Sequence, residues 1–421
     1  MSDVNKPETK TSAIGRREVL IGGAALAATV AMPAIVRAQA AKEIVIGAVL
    51  PMTGPSGAFG QESWNSMQFG ADVINAAGGI KSMGGAKLKP MVADTESKPE
   101  VAVSQTEQMI RRGAAVIVGC NQSSASIVAS QVAERASVPF LTAYDVDPLI
   151  TARGFKFVFR ISPLSNVYAS DLLAYIKQVG EKAGKAPKRL ALLSENSVVG
   201  QGANKVAAAA AAKLGFEVVD TVSYEVGKTQ NFAPFIAKFK GANVEVVVGH
   251  TRASDGILIV RTMKELAFNP LAYGGILGAP STTDFIRNLG KDAENILATD
   301  SWSSTLDVPN MKELGEKYQE RFKVQPSAGL ASAMSNIAVI TDSLERAKTT
   351  DGKKLRDAMA ATDMKTGDRN LWFLTGAKFN ATGDNDRAAG LVSVIRDGKW
   401  IPVAPKVFSK GDVVYPKPKW S

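Results

Sequence analysis

Cysteine and histidine are nearly missing from this chain: Cys120 and His250 are the only ones among 421 residues. A single cysteine excludes an intramolecular disulfide, and a chain of this length can bury enough apolar surface without one. Cys120 closes the apolar run Ala115-Val116-Ile117-Val118-Gly119, with no nearby cation to lower its pKa. It therefore reads as an inert buried thiol rather than a nucleophile. A lone histidine excludes a multi-histidine zinc site, and neither H-E-x-x-H nor G-x-S-x-G occurs. His250 could in principle serve a Ser-His-Asp or Cys-His machine, but no nucleophile elbow accompanies it. An exported hydrolase is thus disfavoured, and no enzyme activity is expected.

Other absences narrow the field further. Gly54-Pro55-Ser56-Gly57-Ala58-Phe59-Gly60 lacks G-x-G-x-x-G spacing, and no Gly-Lys-Ser/Thr follows, so a phosphate cradle is not expected. Gly383-Asp384-Asn385-Asp386 lacks the later Glu and the Gly spacing of a calcium loop and reads as a polar turn. No cofactor and no metal are expected. The net charge is +10, but Lys and Arg are scattered among acids rather than striped with aromatics, so nucleic acid is not an expected partner. Long apolar runs are absent apart from Val19 to Val36.

That one run belongs to an export label. Arg16-Arg17 precede it, Gly22, Gly23 and Pro33 interrupt it, and it ends in Ala38-Gln39-Ala40. Paired arginines, a bland apolar stretch and small residues two apart are what a twin-arginine signal peptide and its peptidase require. Residues 1–40 are read as that leader, cleaved near Ala40, which leaves a protein working in the periplasm. A permanent membrane anchor is the less favoured alternative.

From Ile44 onward, short apolar runs alternate with amphipathic stretches. Strands are expected at Ile44–Leu50, Leu88–Ala93, Ala115–Val118 and from Pro139, with helices at Gln61–Ala77, Glu100–Arg112 and Ser123–Arg135. The rhythm restarts with strands at Arg189–Leu193, Phe216–Val222, Val244–Val248 and near Leu271–Ile276. Helices at Gln201–Leu214, Phe232–Phe239 and Ile257–Leu266 separate them. Strands apolar on both faces argue parallel sheets covered by helices, and the restart argues two α/β lobes. Helices follow at Met311–Phe322, Leu330–Arg346 and Lys354–Ala361. Trp372-Phe373 and Val392–Ile395 read as strands, with Asp397-Gly398 as a hairpin turn.

Several segments, taken in order, resemble one family. They are Ile46 to Pro55 with Phe59-Gly60, Ala71 to Ile80, Gly119 to Ser124, Val138-Pro139-Phe140, Asp147 to Gly154 with Phe159-Arg160, Gly200-Gln201-Gly202, and Val246 to Gly249. Their combination is similar to the type I periplasmic solute-binding proteins of ABC transporters, the leucine/isoleucine/valine-binding family. The resemblance implies two doubly wound parallel-sheet lobes joined by a three-stranded hinge, closing on one ligand. It implies lobe one at residues 41–163 and 299–372, and lobe two at 164–298 and 373–421. It also implies a monomer that delivers a small molecule to an ABC permease in the cytoplasmic membrane. A ligand sensor of the same fold is the alternative, against which the leader argues.

The resemblance assigns Ser123 to a ligand carboxylate, with Ser124 beside it at a helix start, and Phe59 to the place of an aromatic over the ligand. Departures from the family pattern fall on the amine side. Tyr144-Asp145-Val146 stands where a hydroxyl acceptor is common, so Val146 replaces it. Val199 before Gly200 replaces an aromatic. His250-Thr251-Arg252 replaces Gly-Tyr after Gly249, and Gly275-Ile276-Leu277 holds no acid. Phe59, Tyr144, Val146, Val199, Ile276 and Trp302 would suit an aromatic or aliphatic chain, and Arg252 a second anionic contact. The implied ligand is a carboxylate, either a hydrophobic amino acid or an acid without an amine. Asp145, Asp255 or Tyr144 would have to reach an amine if one is present.

Overall fold

The computed structural model describes residues 42–420; the leader expected at residues 1–40 lies outside them. The first sheet has strand order β2-β1-β3-β4-β5, all parallel. It is built from β1 (Glu43–Leu50), α1 (Gly57–Ala76), β2 (Lys87–Asp94), α2 (Pro99–Arg111), β3 (Val116–Gly119), α3 (Ser123–Arg135), β4 (Phe140–Thr142) and β5 (Val158–Arg160). Its inner strands β1, β3 and β4 are apolar on both faces because each face meets a helix layer. Ile44, Ile46, Ala48 and Leu50 enter one core, while Val49, Ile117, Phe140 and Val158 enter the other.

The chain then crosses to a second sheet through α4 (Ser165–Lys182), β6 (Arg189–Glu195), α5 (Val198–Leu214), β7 (Glu217–Tyr224), α6 (Ala233–Gly241), β8 (Val246–Gly249), α7 (Ala253–Glu265), β9 (Ala272–Gly275), α8 (Thr283–Leu289) and β10 (Leu297–Asp300). The order β7-β6-β8-β9-β10 repeats that of the first sheet. Alternation works the same way here: Leu190, Leu192, Val246 and Val248 face one core, and Ala191, Leu193 and Val247 the other.

After Asp300 the chain returns to the first sheet with α9 (Met311–Phe322), α10 (Ala328–Ala347), α11 (Gly352–Ala360) and the short ladder of β11 (Asp363–Met364) with β12 (Ala377–Lys378). It ends on the second sheet with β13 (Leu391–Arg396) and β14 (Lys399–Ala404), where β13 pairs antiparallel to β10. Asp397 and Gly398 both take positive φ, 51° and 67°, so the expected hairpin turn is present in the form whose twist matches its strands.

Two expectations shift. Trp372-Phe373 is not a strand: Trp372 is fully buried in irregular backbone, and its ring packs with the α9–α10 block. Apolar character there reflects core packing, not pleating. Phe373, Ala377 and Phe379 also belong to the first sheet's core, so the last crossing falls between Phe379 and Leu391, later than residue 373. Similarly β10 pairs with β9, which puts the preceding crossing after Asp300 rather than at residue 299.

Candidate functional site

In a doubly wound sheet the crevice forms where neighbouring strands send their chain in opposite directions. The strand orders place those points between β1 and β3 in one lobe and between β6 and β8 in the other. Each is flanked by two helix starts, α1 and α3, then α5 and α7. The chain turns tightly at both. A Cβ on Gly60 would stand 2.1 Å from the Pro51 carbonyl oxygen, and one on Gly200 would stand 2.0 Å from that of Glu195. Only glycine lets these helices start so close to the strand they follow.

In the first lobe, Asp94 fixes the exit of β1 by accepting from Met52 N at 2.9 Å and Thr53 Oγ1 at 2.7 Å. The α1 and α3 starts are laced together: Gln122 Nε2 donates to Ser56 Oγ at 3.1 Å, and Asn121 Nδ2 donates to Ser63 Oγ. Ser123, the first residue of α3, is buried and Ser124 is exposed. No side chain caps α3, so its first-turn N–H groups are left to an anion or water. Gln122 Oε1 is buried without a hydrogen-bond partner. Phe59 meets Tyr144 edge-on, with ring centroids 4.7 Å apart and planes at 66°. Both rings are half-buried, and Val146 packs against the core of the other lobe.

Asp145 is buried and hydrogen-bonded within the first lobe. Its Oδ2 accepts from Ser126 Oγ at 2.6 Å, Thr142 Oγ1 at 2.7 Å and Cys120 N at 3.1 Å, which ties the ends of β3 and β4 to α3. Burial raises its pKa, a cost those bonds offset in part. Cys120 is buried, and desolvation pushes its thiol up, as an inert thiol requires.

In the second lobe, Val199 is exposed at the start of α5 and Arg252 at the start of α7. Arg252 is not free. Its Nε donates to Glu195 Oε2 at 2.6 Å, and Ser197 Oγ donates to Glu195 Oε1 at 2.7 Å. His250 Nδ1 faces the Ile276 carbonyl oxygen at 3.0 Å; a carbonyl only accepts, so Nδ1 carries the proton. Burial lowers the pKa of this histidine, which leaves Nε2 as an acceptor at neutral pH. Asp255 lies in the first turn of α7 beside Tyr224. The Ile276 side chain is packed in the second core, and the Trp302 ring in the α9–α10 block, where its Nε1 donates to Met311 Sδ at 3.2 Å. The structure thus gathers Phe59, Ser123, Ser124 and Tyr144 at one switch point, and Val199 and Arg252 at the other. Ile276 and Trp302 spend their apolar surface on core packing.

Asp300 escaped the sequence reading. It ends β10 half-buried, and desolvation raises its pKa to about 6. Its charge in turn raises the Tyr144 and Tyr168 phenols, beyond the effect of their own burial. The available signal was an acid at the C-terminal end of a short apolar run, Ile296-Leu297-Ala298-Thr299. The Gly383–Asp386 turn is polar as expected. Asp384 Oδ1 accepts from Arg160 Nη2 at 2.6 Å and Thr151 Oγ1 at 2.8 Å. Among the described residues no group of His, Cys, Asp and Glu is placed to hold a metal ion.

The family model described as periplasmic binding protein matches residues 43–399. The Leu/Ile/Val-binding protein homolog 7 of Brucella suis biovar 1 is 26% identical over 391 residues, covering 90% of this chain and 96% of the relative. Homolog 8 of Brucella abortus is 25% identical over 397 residues, covering 92% and 96%. Among solved structures, an ABC transporter substrate-binding protein from Sphaerobacter thermophilus superposes with a TM-score of 0.73 at 19% identity, covering 90% of this chain and 99% of that one. The branched-chain amino acid transporter substrate binding protein LivJ from Streptococcus pneumoniae, in complex with isoleucine, gives 0.70 at 20% identity, covering 89% and 100%. At these identities the structures speak to the fold.

Proposed function

This chain belongs to the periplasmic binding protein family, a family of solute-binding proteins rather than enzymes, and we propose that it is the exported receptor of an ABC importer. Its two lobes close on one small carboxylate and present it to a permease. The observation that carries this reading is the uncapped start of α3, with Ser123, at the first lobe's switch point and in the same lobe as the Phe59–Tyr144 pair. Peptide N–H groups and the Ser123 hydroxyl supply donors for a carboxylate, and the two rings supply an apolar wall for its side chain.

Ser124 and Val199 line the mouth, Val146 sits where the lobes meet, and Arg252 closes from the second lobe. Ile276 and Trp302 support the cleft from behind. The names of the relatives favour a branched-chain or other hydrophobic amino acid, while the missing hydroxyl at Val146 favours an aliphatic or aromatic acid. The protein acts as a monomer in the periplasm after its twin-arginine leader is removed. Arg16→Lys with Arg17→Lys should accordingly stop export of a reporter fused to residues 1–45.

Thermal-shift screening of residues 41–421 against leucine, isoleucine, valine, phenylalanine, benzoate and 4-methylpentanoate tests the binding reading. A ligand at about 100 times its Kd stabilises by about 2.7 kcal/mol, a readily measured rise in melting temperature. A flat response to every carboxylate would contradict it.

A further inference from the structure

The parallel strands β7, β6, β8 and β9 all start at one edge of the second sheet, and the crevice lies at the other. The loops before these strands therefore form the pole of that lobe opposite the crevice. Lys182 ends α4, Lys185 and Lys188 lie in the loop before β6, and Lys213 stands in the last turn of α5 before β7; all four are exposed. Hydrogen bonds join these loops. Lys177 Nζ on α4 donates to the Leu214 carbonyl oxygen, Glu217 N to that of Lys188 at 2.7 Å, and Leu271 N to that of Glu245 at 2.7 Å. The C-terminal segment crosses the same edge: Tyr415 Oη donates to the Lys185 carbonyl oxygen at 2.9 Å, and Lys417 N to that of Leu271 at 2.8 Å. It brings exposed Lys419, Pro416 and Pro418 there, with Val414 49% exposed.

The acids of this pole are engaged. Glu181 pairs with Lys177 at 3.9 Å, Glu217 with Arg189 at 2.8 Å, and Glu245 accepts from Lys188 N at 2.6 Å. Glu265, exposed at the end of α7, has Lys240 beside it, whose Nζ donates to the Leu266 carbonyl oxygen at 2.7 Å. Lys182, Lys185, Lys188, Lys213 and Lys419 form no ion pair among the described residues. Lysines in a helix's last turn complement its dipole, which accounts for Lys182 and Lys213 but not for the other three. We propose that this pole is a docking surface for an anionic lipid bilayer. The sheet order gathers lysines that are scattered along the chain, and anionic headgroups attract each one within about a Debye length. Val414 and the prolines meet the headgroup boundary, while the lysine stems keep their ammonium groups in the polar layer. Exposed lysines from three separate segments suit a broad charged surface rather than one small anion. Held this way, the protein waits at the membrane with its crevice turned away from the bilayer.

Co-sedimentation of residues 41–421, a compact unit of their own, with vesicles of phosphatidylcholine alone or mixed with phosphatidylglycerol tests this. The wild type should bind the mixed vesicles at about 0.1 M salt, release them as salt is raised, and ignore phosphatidylcholine alone. Lys185→Gln with Lys188→Gln and Lys213→Gln should weaken binding about a hundredfold, at roughly fivefold for each lysine taken from an anionic surface. Lys312→Gln with Lys348→Gln and Lys353→Gln removes the same charge from exposed positions on the first lobe. That variant should lose less than about threefold, because its charges lie beyond the reach of screened attraction. Val414→Glu, which leaves every lysine in place, should weaken binding about fivefold or more. Equal losses in the two triple variants would assign adsorption to net charge and overturn the proposal. Wild-type binding by Val414→Glu, no binding to the mixed vesicles, or equal binding to phosphatidylcholine alone would overturn it as well.

Discussion

Glu195 Oε2 and Arg252 Nε are 2.6 Å apart across the mouth of the second lobe, with the carboxylate side chain 2% exposed and the guanidinium side chain 59% exposed. The buried partner thus holds the exposed one by a single nitrogen and fixes its direction at the start of α7. An ion pair with one wet end is worth less than a fully buried one, yet stripping the cation from a buried carboxylate leaves that carboxylate uncompensated.

Arg252→Ala should therefore cost about 1–2 kcal/mol of stability, discounted for the exposure of the arginine. Adding Glu195→Gln to that variant should recover most of the loss, because the uncompensated charge is gone. Denaturant unfolding of the two singles and the double mutant measures the coupling. Additive effects would show that the pair contributes nothing.

A second stability prediction concerns the chain crossings. Arg160 is fully buried at the end of β5 and reaches Asp384 Oδ1 with Nη2 at 2.6 Å and Nε at 3.1 Å. Asn385 Nδ2 donates to the Ile161 carbonyl at 3.0 Å, so the first crossing is stitched to the segment that precedes the last. Asp384→Ala should destabilise by about 3–5 kcal/mol, and Asp384→Asn by less because it keeps an acceptor. Equal losses in both, read from melting curves, would assign the effect to charge alone.

The pH dependence of stability carries the sign of the Asp300 shift. Its pKa is raised from 3.8 to about 6 by burial, so the folded protein prefers the protonated acid. Stability from this group is greatest below about pH 4 and is lost as pH rises through about 6. Tyr144 and Tyr168 stay neutral in that window, both phenols being raised by burial and by Asp300. Glu62 and Asp145, which also act on Tyr144, are present in both proteins being compared. Asp300→Asn should thus gain on the wild type between pH 4 and 7, by at most about 3 kcal/mol. A constant difference across that range would remove Asp300 as the source.

The sheets were legible because their strands are continuous apolar runs with helical periods between them. Ile44–Leu50 and Val244–Val248 could hardly be anything else once Pro51 and Gly249 had closed them. Asp397-Gly398 was legible for the same local reason, since both residues tolerate the positive φ of a tight hairpin. Trp372-Phe373 reads like a strand because two large apolar residues fill a core from irregular backbone as well as from a pleat. In the candidate site, Ser123 at a helix start and Phe59 in a Gly-rich loop carry local signatures. Arg252 and Glu195 do not, because 57 residues separate the partners and only the sheet order joins them. Asp300 stands outside every motif, and only the sheet order brings it beside the Gly275-Ile276-Leu277 turn.

The most direct measurement of the central claim is calorimetry of Ser123→Ala with whichever carboxylate the thermal screen identifies. The Ser123 hydroxyl stands at the uncapped start of α3, and losing a charge-assisted hydrogen bond there should weaken binding by about 1–3 kcal/mol, roughly five- to 150-fold. The melting temperature of the ligand-free variant should stay close to wild type, since no side-chain cap is lost. Wild-type affinity in Ser123→Ala would contradict the account, because the carboxylate would then be bound somewhere other than the α3 start.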